Sequence, residues 1–292
     1  MAGCLKTTIN ESVDGERLWL DLQTLSADEM QGRELGHNQL AQQFLSRRYQ
    51  QIGLSQFDPD YLQIFVHEYL IGNVQGANVV GWLEGREYPQ QYAVITAHYD
   101  HLGKKGRRIY NGTDDNASGV AALLALATQI AKQPLRHSVI FLATDGEEKG
   151  FFGATAFIDA PPVELSAIKL NLNMDMISYP GRKRTLYLAG AKAYPQLNPI
   201  VEDAIAQAGV CLKVGHEGVS RGYSSDKRID WRKASDHKVF AQKNIPFMYF
   251  GVNDHRYYHT DKDDIANIDA TFYQAAVETI LNSLRLWDRS VN

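Results

Sequence analysis

The feature that most constrains this chain is a recurring one: a short apolar run that stops at a histidine or an acid. The run YAVITA, 92–97, leads into His98, and HSVIFLAT, 137–144, leads into Asp145. LNLNMDMI, 170–177, carries Asp175 within it, and FMYF, 247–250, is followed by a loop to His259. Runs of this length, rich in β-branched and aromatic residues and apolar on both faces, read as strands buried on both sides of a sheet. Between them lie stretches of helical period. The clearest are 16–25, with Leu18, Trp19, Leu22 and Leu25 on one face, 38–51 ending at Gly53, and the apolar 118–131. Further helices are expected over 153–158, 197–208, 235–243 and 270–287, and further strands over 62–71, 78–83 and 185–189. Such alternation implies an α/β fold, a mixed and mostly parallel central sheet flanked by helices. Residues 215–233 are polar, contain glycine and show no period. Long irregular segments in compact folds are often functional, so this one is expected as a loop near the site.

With 292 residues, 44% of them hydrophobic, the chain can bury a large core. The net charge of −4, with acids and bases interspersed, argues against nucleic acid as a partner. No apolar run reaches the length of a spanning helix. Two cysteines, Cys4 and Cys211, are too few for a disulfide framework or a thiolate zinc site. The opening Ala2-Gly3-Cys4 looks like a processed bacterial lipoprotein terminus; the alternative is a chance cysteine. On the first reading Cys4 carries a lipid anchor, the protein faces the bacterial cell envelope, and Cys211 is a reduced thiol.

In open α/β sheets, ligands bind at the carboxyl ends of strands, and the polar clusters sit there. His98 and Asp100 are two apart, so on extended backbone they share a face, and Asp100 can orient the imidazole as metal-bound histidines require. Asp114 and Asp115 precede the apolar helix, where acids also serve as ordinary caps. Glu147 and Glu148 follow a buried strand. One of such a pair can bind metal while its neighbour acts as general base. Asp175 is costly in an apolar strand unless it is paired or ligates a metal. His259 lies in Tyr257-Tyr258-His259-Thr260-Asp261. Histidines and carboxylates without cysteine suit zinc and related divalent ions in a catalytic role. An aspartate bridging two ions, with one histidine and one carboxylate to either side, would make a two-metal site.

Six segments then appear in an order that resembles the zinc-dependent bacterial leucine-aminopeptidase-like family, relatives of which include plasma glutamate carboxypeptidase and glutaminyl cyclase. They are AHYDHLG, NGTDDNASG, ATDGEEKGFFGA, NLNMDMIS, ASDHKVFAQKNIP and YYHTDKDD, preceded by the opening LSADEMQGRELG. The resemblance implies a three-layer zinc exopeptidase fold. It implies a single catalytic domain over 1–292, with a helical segment at about 14–55 and no inserted protease-associated domain. It also implies two zinc ions and peptide substrates with a free N-terminus. By the same resemblance, His98 and Asp175 hold one zinc, Glu148 and His259 the other, and Asp114 bridges, with a cis peptide between Asp114 and Asp115. Glu147 is the general base, Asp100 orients His98, and Tyr258 hydrogen-bonds the developing oxyanion. One departure is Ala234, where some relatives carry arginine; Arg232 and Lys233 lie nearby. The rival readings are a mono-zinc glutaminyl cyclase-like acyltransferase and a non-catalytic binding module.

Overall fold

A computed structural model describes residues 7–223 and 228–291 of the chain. Its strands are β1 Ser55–Gln56, β2 Leu62–Glu68, β3 Asn73–Leu83, β4 Tyr88–His98, β5 Lys104–Lys105, β6 Arg108–Ile109, β7 His137–Thr144, β8 Ile168–Met174, β9 Thr185–Ala189, β10 Cys211–Val214, β11 Val219–Arg221, β12 Arg228–Asp230 and β13 Phe247–Gly251. Its α-helices are α1 Gly15–Leu25, α2 Gln39–Ile52, α3 Gly119–Lys132, α4 Phe152–Asp159, α5 Asn198–Gln207, α6 His237–Gln242 and α7 Ala270–Ser290.

Nine strands form one sheet in the order β1-β3-β7-β4-β8-β13-β9-β10, with β2 also paired to β3. The central strands β7, β4, β8 and β13 run parallel. Antiparallel pairing enters at β3 on one side and β9 on the other. Along β7, Val139, Phe141 and Ala143 face the core shared with α1, α2, α3 and α7, while Ile140 and Leu142 face the core shared with α4 and α6. That alternation is the two-residue period of a strand buried on both faces. The result is the expected three-layer α/β sandwich with a mixed, mostly parallel sheet. Its four parallel strands all end, at His98, Thr144, Met174 and Gly251, on one rim.

The boundaries follow local chemistry. Helix α2 stops because Gly53 takes a left-handed conformation (φ 86°) and its N–H closes onto the carbonyls of Tyr49 and Gln50. The strand expected over 62–71 ends at Glu68 instead, because the chain turns at Gly72 (φ 82°) and pairs back from Asn73. β10 has no counterpart in the sequence reading: it has four residues, and only Cys211 and Leu212 are buried. The irregular 215–233 contains the small hairpin of β11 and β12 and a 3-10 turn, Trp231–Lys233. Among the described residues no helix is long and apolar enough to cross a membrane. Cys4, the expected lipid site, lies outside them, and Cys211 is buried on β10.

Candidate metal centre

At the rim the parallel strands deliver their polar ends to one place. β4 ends in His98, whose Nδ1 sits 3.2 Å from the carbonyl oxygen of Asp100. Donation from Nδ1–H there leaves the Nε2 lone pair facing the site. That Nε2 lies 3.4 Å from Asp115 Oδ1 and 3.4 Å from Asp175 Oδ1. Asp175 is the first residue beyond β8, and its N–H still donates to the Phe250 carbonyl, 3.1 Å. On the other side of Asp115, its Oδ2 lies 3.1 Å from His259 Nε2, which is itself 3.2 Å from Glu148 Oε2. His259 occupies the left-handed region (φ 57°), uncommon for a residue with a side chain.

The structure thus brings His98, Asp175, Glu148 and His259 together around an aspartate, and that aspartate is Asp115. Asp114, expected as the bridge, faces the opposite way. Its Oδ1 accepts from Ser178 N (2.7 Å), Ser178 Oγ (2.6 Å) and Tyr179 N (3.2 Å), and its Oδ2 lies 3.0 Å from His255 Nε2. The physical reason is the turn between β6 and α3. Residues Thr113–Ser118 form a single π-helical turn. The Asp263 carboxylate accepts both Asp114 N–H (2.9 Å) and Asp115 N–H (3.0 Å), which pins two adjacent peptides and sends their side chains apart. The cis peptide lies one residue later than expected, between Asp115 and Asn116.

Asp100 touches both the His98 ring and the neighbouring turn. Its carbonyl, more than its carboxylate, meets the His98 ring; the carboxylate oxygen is 3.6 Å from Nδ1. The carboxylate instead accepts the N–H groups of Glu147 (3.0 Å) and Glu148 (3.2 Å), so it holds the turn that presents both glutamates. His101, which the sequence reading passed over, is fully buried, and its Nδ1 lies 2.9 Å from Glu148 Oε1 and 3.8 Å from Asp115 Oδ2.

A cavity of ≈ 260 Å³ opens over this cluster. Asp115, Glu147, Glu148, Asp175, Tyr258 and His259 line its polar side, and Met176, Ile229, Trp231, Ala234 and Tyr249 its apolar side. Tyr258 stacks on His259, centroids 3.8 Å apart. The Trp231 indole is braced by the parallel ring of His216 (3.6 Å) and by donation from Nε1 to Ser220 Oγ (2.7 Å). Arg232 pairs with Asp230 at 2.7 Å on the surface; the basic residue lining the cavity is Arg228. A wider cleft, ≈ 800 Å³, runs along α2 among glutamines and holds neither of the candidate metal-ligating groups found among the described residues.

Charge in the cluster is unbalanced in a telling way. Burial drives the Glu147 carboxyl well above its usual range, against the pull of His98, and Asp175, Asp236 and Glu148 push it further. Burial and Asp115 also push Glu148 up, yet the adjacent imidazoles of His101 and His259 prevail and bring it down to about 2. The His259 imidazole is raised to about 10: burial opposes, and Asp115 and Glu148 win. Among protein groups alone, protonated histidines stand in as the cations this set of acids demands. A second sign points the same way. His98 Nε2, His101 Nδ1 and Nε2, Asp115 Oδ2, Glu148 Oε1 and Asp175 Oδ1 are buried without a hydrogen-bond partner among the described residues. Buried polar atoms are rarely left so. Here they converge, in two overlapping groups, on positions that suit a metal ion. Tetrahedral zinc with bonds near 2.0–2.2 Å separates its donors by about 3.3 Å, and the His98 and His259 distances match. The donors fit zinc.

Comparison with known proteins identifies the family. Over 217 residues the chain is 25% identical to Aminopeptidase YwaD of Bacillus subtilis, covering 71% of this chain and 44% of the relative. It is 33% identical over 175 residues to Leucine aminopeptidase 2 of Trichophyton equinum, covering 58% and 32% respectively. The chain therefore spans less than half the length of either relative. In fold it resembles a leucine aminopeptidase precursor of Bacteroides thetaiotaomicron (TM-score 0.74, 16% identity, 95% of this chain and 99% of that one). It resembles equally a glutaminyl cyclase of Porphyromonas gingivalis (TM-score 0.74, 17% identity, 96% and 99%). Residues 78–284 match Peptidase family M28, which places every donor named above inside the matched region, and the chain belongs to that family.

Proposed function

We propose that the chain is a zinc aminopeptidase with two metal positions, held by His98 and Asp175 on one side and Glu148 and His259 on the other, with Asp115 between them. The observation that carries this reading is the convergence of unpartnered buried donors on two sides of one aspartate. When bound, zinc would supply Lewis acidity and lower the pKa of water. The remaining roles belong to the chain. Glu147 lines the cavity, and its carboxylate accepts the proton of the attacking water and returns it to the leaving amine. The Tyr258 hydroxyl donates to the oxygen on which charge develops. The acidic wall draws in the substrate's α-ammonium, while Met176, Ile229, Trp231 and Tyr249 receive its first side chain.

The glutaminyl cyclase-like alternative needs only one ion. Two complete donor sets favour the peptidase, as does the intact set over a non-catalytic binding module. The test is a panel of aminoacyl and N-blocked fluorogenic substrates, run with and without chelator, beside a zinc count. Chelator-sensitive release from unblocked substrates with two zincs per chain is expected. Turnover of N-terminal glutaminyl peptides to the cyclic product with one zinc would overturn the reading.

A further inference from the structure

The two donor sets are unequal, and the difference lies in His101. This inference rests on the two-metal reading above. Around the His98 position the chain offers three donors, His98, Asp115 and Asp175. Around the other, Asp115, Glu148 and His101 form the group whose donor atoms all lie within 4.8 Å of one another, and His259 approaches the same two carboxylates at 3.1 and 3.2 Å. The His101 ring is fully buried, and neither nitrogen makes a hydrogen bond of acceptable geometry, though Nδ1 is 2.9 Å from Glu148 Oε1.

The backbone that carries the ring is tied down and its rear face is packed. Its backbone N–H donates to the Arg33 carbonyl, 3.1 Å. Behind it lies Gly112 in the left-handed region (φ 55°), where a Cβ would meet the ring carbons of His101 and the carbonyl of Asp115. Gly112 is held in turn by Arg33, whose guanidinium donates to the carbonyls of Tyr99 (2.7 Å), Asn111 (2.6 Å) and Gly112 (2.9 Å). The His101 and His259 rings meet at 5.8 Å between centroids and 65° between planes, so two imidazoles approach the same carboxylates from different sides.

We infer that His101 is a direct ligand of the second metal position, which is thereby closed by four protein donors, His101, His259, Glu148 and Asp115. The His98 position, with three, keeps the open coordination place. Four protein ligands mark tightly held zinc, and three with a vacancy mark the zinc that meets solvent and substrate. The assignment also puts the open position next to Glu147, whose strongest charged neighbours are His98 and Asp175. The His98-side ion is then the one that exchanges and that chelators strip first.

The experiment separates a ligand from a residue that only orients Glu148. In the full chain, stepwise zinc affinities are measured by chelator competition for wild type, His101→Asn and His101→Ala. Asparagine keeps a polar atom near the Nδ1 position and preserves an orienting hydrogen bond, but is a poor zinc ligand. Loss of an orienting partner costs about 10–100-fold in affinity. Both variants are therefore expected to lose more than about 100-fold at the tight position, leaving the weak one near its wild-type value. His101→Asn binding both zincs like wild type overturns the inference. Cobalt loading supplies a readout that needs no variant: wild type should show three paramagnetically shifted exchangeable histidine N–H resonances, and two would overturn the inference. If wild type saturates at a single zinc, the two-metal reading falls. The effect of His101→Asn on that one ion still decides whether His101 ligates.

Discussion

Asp114 and Asp115 are adjacent, both acidic and both fully or nearly fully buried, and the geometry assigns them opposite tasks that one pair of substitutions separates. The Asp114 carboxylate has four donors. The Tyr257 N–H donates to His255 Nδ1 at 3.2 Å, which puts the His255 proton on Nε2, where it donates to Asp114 Oδ2. In Asp114→Asn an amide N–H₂ would confront either that N–H or the donors from Ser178 and Tyr179. A buried donor left unsatisfied costs about 1–3 kcal/mol, and the remaining bonds lose their charge assistance, so a stability loss of about 2–4 kcal/mol is expected. Zinc binding should survive in whatever fraction remains folded. Asp115→Asn should behave in the converse way. A ligand at 100 times its dissociation constant stabilises the folded state by about 2.7 kcal/mol per site. Wild type should therefore gain on the order of 5 kcal/mol from zinc buffered at that level over both sites, and Asp115→Asn almost none. Equilibrium urea unfolding, in buffered zinc and in chelator, measures both quantities. Asp114→Asn should show a lowered baseline with the zinc increment kept. The reasoning is refuted if Asp114→Asn abolishes the zinc increment without lowering stability in chelator while Asp115→Asn retains two zincs.

Three further outcomes follow from the same geometry. Glu147→Gln should cut kcat by about 10²–10⁴-fold with zinc content unchanged; near-normal turnover in peptide hydrolysis would remove Glu147 as the base. Tyr258→Phe should lower kcat by about 10²-fold or more while KM changes little, as loss of one oxyanion donor does; a change confined to KM would make Tyr258 a binding residue instead. His216, stacked on Trp231 and bonded to Asn253 at 3.0 Å, is held by burial down to a pKa of about 4 from 6.5. The unfolded chain takes up that proton as pH falls through 6.5 and the native state refuses it, so folding stability falls between pH 6.5 and pH 4, by up to about 3 kcal/mol from this residue. His216→Phe keeps the stacking and should flatten the pH slope of stability across that window by up to one proton, as urea midpoints at several pH values would show. An unchanged slope would mean that His216 titrates normally.

What the sequence could and could not disclose follows from period. The central strands were legible because burial on both faces leaves uninterrupted apolar runs, and β7 and β9 match the expected ranges residue for residue. β10 and the hairpin of β11 and β12 were not, since strands of three or four partly exposed residues leave no period to read. At the site, His98, Glu148, Asp175 and His259 could be singled out because each ends or follows an apolar run. His101 carries no such signal, since the two-residue alternation of a strand would put a residue at i+3 on the opposite face from His98. β4 ends at His98, however, so the alternation does not extend to His101. The only available signal was the second histidine of AHYDHLG itself. The choice between Asp114 and Asp115 was closed to sequence for another reason: a distant carboxylate, Asp263, decides which of the two faces the site.

An arginine far from this cluster in sequence explains how so many acids can be gathered without the rim coming apart. Arg33 lies outside the family match, which begins at residue 78, and it is fully buried. Among the described residues it has no carboxylate partner in contact. Its guanidinium donates to four carbonyls, those of Leu25, Tyr99, Asn111 and Gly112, the last three on the segments that carry His98, His101 and Asp115. Burial lowers its pKa to about 10, and Asp263, Asp100, Asp115 and Glu148 pull the other way, so it stays charged at neutral pH. A buried cation is costly unless its donors are used and opposite charge is near; both conditions hold here. Bound zinc would neutralise the inward-facing carboxylates, and Arg33 supplies positive charge behind them. It also ties the N-terminal helical segment, through Leu25, to the loops on which the donors stand. The helices before residue 55 are thus part of the metal centre's construction even though none of their side chains points into it.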